Sequence, residues 1–120
     1  MKTGAELIAE ERARQVAEEG YDAEHDANHE HGELVSAAIA YGLIHTNWPL
    51  PGAMRLCGAF WPWDDEYWKP QTPTRDLVRA GALIAAEIDR RQYAAGRRAQ
   101  SAERGPERKI ITPPGFGEGR

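Results

Sequence analysis

Two segments of the chain concentrate the residue types that do chemistry. The first, residues 20–33, carries three of the four histidines among acidic side chains, and we call it the histidine segment. The second, residues 60–70, carries three of the four tryptophans together with acids, prolines and a lysine, and we call it the aromatic segment. Proteins use aromatic faces beside a few polar groups to stack nucleobases or to anchor partners. We therefore predict a ligand or partner surface at the aromatic segment, with a lid over a helical core as the alternative.

The histidine segment has a spacing that suits metal ligands. His25 and His29 lie four residues apart with Asp26 beside the first, and on a helix this spacing brings both rings to one face, as in zinc sites. However, the segment lies between two glycines and is rich in Asp and Asn, which favour turns and caps. We therefore predict a hydrogen-bonded loop in which Asp26 or Asn28 caps the next helix, with no bound metal and no cofactor. Contact with a ligand is the alternative role of this loop.

Two pairs of carboxylates would hold Mg²⁺ if they faced each other between helices. Glu30 and Glu33 lie three residues apart on one helix face, and Glu87 and Asp89 follow on a later helix. The arrangement partly resembles the MazG-like nucleotide pyrophosphohydrolases, all-α enzymes with Glu-x-x-Glu on one helix and Glu-x-x-Asp on another. Glu87 and Asp89 are only two residues apart, so a helix turns them about 200° from each other. These two carboxylates cannot both face one ion. We therefore prefer binding without turnover and keep a Mg²⁺-dependent pyrophosphohydrolase as the alternative.

Length and composition limit the chain to one small domain. Its 120 residues, 41% hydrophobic and 28% charged, are enough for one modest core. Cys57 is the single cysteine, so we expect a small buried side chain and a reducing, cytoplasmic compartment. No apolar run approaches the roughly 20 residues of a membrane span, and we expect no membrane partner.

The net charge of −4 is unevenly distributed. Residues 1–93 carry 16 acidic against nine basic side chains, which disfavours contact with a nucleic acid backbone. Residues 94–120 carry six basic against three acidic side chains and are rich in glycine and proline. Such a segment buries too little apolar surface to offset the entropy of ordering. We therefore predict a helical domain at 1–95 and a flexible tail at 96–120.

The hydrophobic periodicity predicts an all-α fold with three main helices and a short one. Thr3 and Glu6 form a capping box before a helix that Gly20 ends, and Thr72 or Thr74 caps the last helix. The main helices are predicted at 4–19, 30–45 and 75–95, and the short one at 53–60. The helix at 30–45 is apolar all round, so we expect it to be central and buried.

The same periodicity predicts which faces are buried. On the last helix we expect an apolar strip to face the core, namely Leu77, Ala80, Gly81, Ile84 and Ile88. A second apolar strip, Val78, Ala82, Ala85 and Ala86, should widen this buried face. On the short helix we expect Met54, Cys57 and Phe60 to point inward. The first helix has only a narrow apolar stripe around Val16, so its charged residues, Glu11 among them, should face solvent. Alanines at 80, 82, 85 and 86 permit close helix approach, which predicts a homo-oligomer, unless they pack against the second helix instead.

Much of the chain resembles a family of small proteins encoded by bacteriophages and prophages. The matching pieces are ERARQ at 11–15, EEGY at 18–21, EHD at 24–26, GEL at 32–34, WPW at 61–63, WKP at 68–70 and RDLVRAGALIAAEIDR at 75–90. The resemblance covers about two thirds of the chain and implies a source rather than a chemistry. It suggests an accessory protein that acts against host defence, with the host cytoplasm as its location and a host protein as a further partner.

These observations favour binding over catalysis. We predict that the chain binds a small nucleotide-derived ligand without turning it over, with aromatic rings stacking its base and basic groups on its phosphate. The predicted ligand-binding residues are Tyr21, His25, Asp26, Trp61, Trp63, Trp68, Lys69 and Arg75, with Arg79 one turn after the last of them. A protein inhibitor of a host factor is a second alternative, beside the pyrophosphohydrolase.

Overall fold

A computed structural model describes residues 1–20 and 22–104 of the chain. Its elements are α1 (Gly4–Glu19), α2 (Ala23–Asp26), α3 (Glu33–Leu43), α4 (Leu50–Phe60), a 3-10 turn (Asp65–Tyr67) and α5 (Pro73–Arg104). No strand occurs in these two ranges, so the predicted all-α class is confirmed. Four of the five α-helices are substantial, where three main helices and a short one were predicted.

The ends of α1 are those that the sequence predicts. The Thr3 hydroxyl accepts a hydrogen bond from the Glu6 amide at 3.1 Å, and the Glu6 carboxylate accepts one from the Thr3 amide at 2.7 Å. Gly20 ends the helix with φ at 73°, in the left-handed region that favours glycine. The capping box and the glycine stop are therefore confirmed.

The histidine segment folds differently from the predicted loop. Asp22 accepts a hydrogen bond from the His25 amide at 2.8 Å and thereby caps the one-turn helix α2. Gly32 precedes α3 with φ at 84° and offers no side-chain cap. The prediction that Asp26 or Asn28 caps the second main helix is therefore wrong, because the only side-chain cap described in this segment serves α2.

The last helix is longer than predicted. Thr72 caps α5 by accepting a hydrogen bond from the Arg75 amide at 3.2 Å, and Pro73 occupies the first helical position. The helix continues to Arg104, nine residues beyond the predicted end at 95, and its 32 residues span about 48 Å at 1.5 Å per residue. The first part of the predicted tail is thus helical, whereas residues 105–120 lie outside the described residues, as does Tyr21.

The helix α5 is the one against which the others assemble. It packs against α1, α2 and α3, and α4 packs on the other side of α3. The side chains of α3 are buried on both sides for this reason, as its apolar sequence predicts. The core consists mostly of alanine, and its buried members are Leu34, Ala37, Ala38, Ala40, Tyr41, Ala53, Cys57, Val78, Ala80, Ala82 and Ala86. The Cys57 thiol donates a hydrogen bond to the Ala40 carbonyl at 3.3 Å, and burial raises its pKa, so the predicted buried role of this cysteine is confirmed.

The predicted inward face of α5 is only partly right. Leu77, Ile84 and Ile88 are about half exposed, whereas Ala80 is buried, and in the second predicted strip Val78 and the alanines at 82 and 86 are buried as well. Alanine lets helices approach closely, whereas leucine and isoleucine in the same positions would hold them apart. The alanine face that predicts subunit association is thus occupied within the chain, and the homo-oligomer itself stays a prediction.

Two further orientation predictions are wrong. In α1 the side chains of Glu11 and Gln15 are buried, whereas Val16 is exposed. In α4 the side chains of Met54 and Phe60 are exposed, and Ala53 takes the inward position beside Cys57. Among the described helices, none is long and apolar enough to cross a membrane.

Candidate functional site

A cavity of about 510 Å³ lies where α1, α2 and the aromatic segment meet α5. Five of the eight predicted ligand-binding residues line it, namely His25, Asp26, Trp61, Trp63 and Lys69. The two segments that the sequence singles out are therefore brought to one place. Sites for small molecules in proteins have volumes of this order, roughly 300 to 1,000 Å³.

One wall of the cavity is a continuous series of aromatic rings. The centroid of His29 lies 5.6 Å from that of Trp63, which lies 5.3 Å from Trp61, which in turn lies 5.5 Å from Tyr41. Each of these pairs meets edge to face, an arrangement that ring quadrupoles favour. The Trp61 indole also donates a hydrogen bond to the Asp64 carbonyl at 3.0 Å, which fixes its orientation. The rings of this wall therefore face the cavity in fixed orientations.

Trp68 lies behind this wall and does not line the cavity. Its ring centroid is 4.9 Å from both Tyr41 and Trp61, and it packs with them against the buried residues Ala38 and Ala80. The aromatic segment is thus divided between the core and the cavity. Trp68 covers the core, Trp63 faces the cavity, and Trp61 does both.

The basic side chains of the cavity differ in how they are neutralised. Arg14 donates to Glu11 at 2.9 Å and to Glu19 at 3.1 Å. Arg79 instead donates to the Lys69 carbonyl at 2.9 Å, and its guanidinium lies 5.8 Å from the centre of the Tyr41 ring. Neither Lys69 nor Arg79 forms an ion pair with an acidic residue of the described ranges. Two positive charges therefore remain available beside the aromatic wall.

Arg75 lies outside this cavity. It donates to the buried carboxylate of Glu11, which also accepts hydrogen bonds from Arg14 and, at 3.1 Å, from Gln15. Burial alone would raise the pKa of Glu11, but the hydrogen bonds and charges of the two arginines outweigh it and lower the pKa to about 2. Arg75 is thus part of a structural ion-pair cluster that ties α1 to α5. The sequence favours Arg75 as a ligand-binding residue, but Arg79 is the arginine of α5 that lines the cavity.

A cluster of three potential metal ligands lies at the His29 end of the aromatic wall. His25, Asp26 and His29 each offer one ligand atom, and these atoms lie within 4.8 Å of one another. Asp26 is buried, with Oδ1 3.2 Å from His25 Nδ1 and Oδ2 3.6 Å from Arg12. His25 and Asp26 lie in α2, which Asp22 caps, and the turn after α2, in which the His29 amide donates to the Asp26 carbonyl at 2.9 Å, places His29 beside them. The spacing of four residues was the sequence signal for this cluster, although His29 lies beyond the helix, in the kind of turn that the composition of the segment predicts.

The carboxylates of the hydrolase alternative do not converge on one point. Glu87 is buried and accepts hydrogen bonds from Arg90 at 2.8 Å and from Arg91 at 2.6 Å, and these bonds outweigh burial and lower its pKa. Asp89 accepts a hydrogen bond from Arg12 at 3.2 Å. Glu33 accepts one from the backbone amide of His31 at 2.8 Å. Three of the four carboxylates thus have a protein partner of their own, and among the described residues the four do not form a cluster of potential metal ligands.

Several lining residues were missed by the sequence reasoning. Tyr41 was assigned to the core alone, although its ring also lines the cavity, and Glu11 was assigned to solvent. Tyr67, in the 3-10 turn, was included in the aromatic segment without a role. Only Arg79 had a usable signal, its place one turn after Arg75.

Comparison of the chain with models of protein families, with curated proteins and with solved structures finds no significant match. The case for a function therefore comes from the geometry of this cavity, and the resemblance to phage proteins stays a prediction.

Proposed function

We propose that the chain binds a small nucleotide-derived ligand in this cavity and does not turn it over. The observation that carries the proposal is the position of Lys69 and Arg79, two cations without a described carboxylate partner, beside a wall of aromatic rings. A nucleotide combines a flat aromatic base with an anionic phosphate. The cavity offers aromatic rings to match the base and two cations to match the phosphate.

The base is proposed to stack on Trp63, in the aromatic wall, or on Tyr67, which also lines the cavity; neither ring packs against the buried core cluster. Tyr67 is 59% exposed and Trp63 is half-buried, so both rings have an open face. Stacking of a base on an aromatic side chain contributes about 1 to 3 kcal/mol and tolerates any base. Stacking therefore supplies affinity, and selectivity for one nucleotide must come from polar groups around it.

The phosphate is proposed to bind Lys69 and Arg79. Arginine and lysine form strong charge-assisted hydrogen bonds to phosphate oxygens, and those of arginine are often bidentate. The contact between Arg79 and the Lys69 carbonyl holds the guanidinium at the cavity, so less side-chain entropy is lost on binding. This preorganisation favours a fixed position for the anionic end of the ligand.

Binding without turnover is supported by the state of the acidic residues. The lining carboxylates Glu11, Glu19 and Asp26 each contact an arginine. A general base must be able to take a proton from water or from the substrate, and a carboxylate whose pKa is lowered to about 2, like that of Glu11, is a weak one. The cavity is therefore better suited to hold a ligand than to hydrolyse it.

The biological role proposed for this binding is that of a phage accessory protein that removes a nucleotide signal of host defence. This part rests on the resemblance of residues 11–90 to phage proteins and is an argument by analogy. Sequestration requires tight binding and an unaltered ligand, and both can be measured directly.

The test is isothermal titration of the full chain with cyclic nucleotides and ADP-ribose derivatives, followed by chromatography of the recovered compound. We expect one compound to bind and to be recovered unchanged. Trp63→Ala should weaken that binding, whereas Trp48→Ala, which removes a tryptophan outside the cavity, should not. Turnover of the bound compound would revive the hydrolase, and no binding by any member of the panel would favour a protein inhibitor.

A further inference from the structure

The cluster of His25, Asp26 and His29 has the composition of a metal site. Two imidazoles and one carboxylate are a common ligand set for zinc and for other divalent first-row metals, whereas Mg²⁺ and Ca²⁺ prefer oxygen ligands alone. The three ligand atoms lie within 4.8 Å of one another in the described structure. Bonds of 2.0 to 2.1 Å to a tetrahedral zinc ion place two ligand atoms about 3.3 Å apart. The distance of 3.2 Å from His25 Nδ1 to Asp26 Oδ1 already has this value.

The hydrogen bonding of Asp26 is a second and independent observation. Its side chain is 4% exposed and lines the cavity, yet Oδ2 accepts no hydrogen bond from any described residue. A buried carboxylate oxygen without a hydrogen bond is costly, and such an atom in a native protein calls for a specific reason. The contact of Oδ2 with Arg12, at 3.6 Å, is longer than a hydrogen bond. A cation on the cavity side would provide the missing interaction.

We propose that His25, Asp26 and His29 bind one divalent transition-metal ion, with Zn²⁺ as the preferred ion. All three residues line the cavity, so the coordination positions that the protein leaves open face its interior. Three protein ligands and an open position for water or another molecule are the pattern of catalytic zinc sites, in contrast to closed structural sites. Turnover of the nucleotide by the zinc-loaded chain alone would therefore contradict binding without turnover and leave the metal site itself standing. This inference does not depend on the nucleotide, because it concerns the metal alone.

Arg12 sets the position of the carboxylate and limits the affinity. Its guanidinium contacts Asp26 at 3.6 Å and Asp89 at 3.2 Å, which holds it beside the cluster. A neighbouring cation orients Asp26 but also repels a metal ion. The site should therefore bind zinc more weakly than one whose carboxylate faces a neutral partner, and replacing Arg12 with glutamine should increase the affinity, provided that the variant keeps its helical fold.

The test is isothermal titration of the chelator-treated full chain with Zn²⁺. We expect one ion per chain, and we expect His25→Ala and His29→Ala each to weaken binding by more than about tenfold. His31→Ala is the matched control, because His31 is exposed, lies in the same segment and does not belong to the cluster. Asp26→Asn should also weaken binding, and if this variant fails to fold the two histidine variants decide.

The tryptophan next to the cluster gives a second readout. The rings of His29 and Trp63 are 5.6 Å apart, so Ni²⁺ or Co²⁺ bound at the cluster should quench Trp63 fluorescence, whereas Zn²⁺, with a filled d shell, should not. Trp63→Phe should abolish most of the quenching and keep the stoichiometry. The proposal is overturned if the chain binds no Zn²⁺, if the His25 and His29 variants bind as well as the wild type, or if His31→Ala abolishes binding equally.

Discussion

Glu11 is a charged residue that lies in the interior of the molecule. Its carboxylate is buried between α1 and α5 and accepts hydrogen bonds from Arg14, Gln15 and Arg75. A buried charge of this kind is tolerated only when it is paired and hydrogen-bonded. A hydrophobicity pattern cannot reveal it, because the pattern assigns every glutamate on a mixed helix to solvent.

The stability of the fold should therefore depend on pH through Glu11. Its pKa is lowered from 4.5 to about 2, so the folded state binds the proton less tightly than the unfolded state does. The stabilisation is fully present above pH 4.5 and is lost as the pH falls through 2. After allowance for the partial exposure of the two arginines, we expect Glu11 to contribute about 2 kcal/mol to this pH dependence.

Denaturant unfolding between pH 2 and pH 5 measures this contribution. The wild type should lose stability along this range, and Glu11→Gln should be less stable at pH 7 with a flatter pH profile. Glu10→Gln, one position away on the exposed side of α1, is the control and should follow the wild type. Parallel profiles for wild type and Glu11→Gln would show that the ion-pair cluster does not stabilise the fold.

At the scale of elements, local residues determine where helices begin and end, but they do not determine which face is buried. Thr3, Gly20 and Thr72 act within their own turns; the first two were predicted correctly, and Thr72 was one of the two caps predicted for the last helix. The phase of α5 depends on which residues of α1 and α3 meet it, and this information is not local. Leu77, which is half exposed although it was predicted to face the core, illustrates the error, since the smaller residues beside it permit a closer approach.

Gly81 of α5 packs directly against Ile8 of α1, and it gives a prediction at this scale. A Cβ atom at this position would lie 2.4 Å from Cδ1 and 2.8 Å from Cγ1 of Ile8. Gly81→Ala should therefore destabilise the protein by about 1 kcal/mol, because overpacking exceeds the gain in helix propensity. Thermal unfolding followed by circular dichroism measures the change.

Gly96→Ala is the matched control for Gly81→Ala. Gly96 lies in the same helix, and a Cβ atom there would meet nothing within 4 Å. This variant should be more stable than the wild type by up to about 1 kcal/mol. Adding Ile8→Ala should also reduce the penalty of Gly81→Ala, since it removes the atoms that collide. Equal effects of the two glycine replacements would contradict the close contact between α1 and α5.

At the scale of the whole molecule, the two unusual segments of the sequence were enough to locate the cavity but not to define it. His25, Asp26, Trp61, Trp63 and Lys69 were predicted as neighbours because their residue types favour one ligand, and they line one cavity. The contributions of Tyr41 and Arg79 depend on how α3 and α5 pack. Those helices are regular in sequence, so nothing local marks the few residues that reach the site.

The predicted homo-oligomer is best tested through the outer face of α5. Leu77, Ile84 and Ile88 are each about half exposed and share this face, which makes it the candidate for contact with a second copy of the chain. Light scattering of the wild type should give a mass near a multiple, twofold or more, of the chain mass of 13.4 kDa. Ile84→Glu should lower the measured mass toward that of one chain. Met54→Glu, at an exposed position on α4, should leave the mass unchanged. A monomeric wild type would contradict the prediction.

The account depends most on Trp63 acting as a binding surface while Trp68 covers the core. We expect Trp68→Ala to lower the free energy of unfolding by about 3 kcal/mol, because its ring packs against Tyr41 and Trp61. Trp63→Ala should leave the melting temperature nearly unchanged and should weaken binding of the tightest nucleotide by about 1 to 3 kcal/mol. The decisive measurement is the titration of that nucleotide into Trp63→Ala, with the melting temperature recorded on the same sample. A wild-type affinity, or a loss of stability in step with the loss of binding, would contradict a ligand site at this cavity.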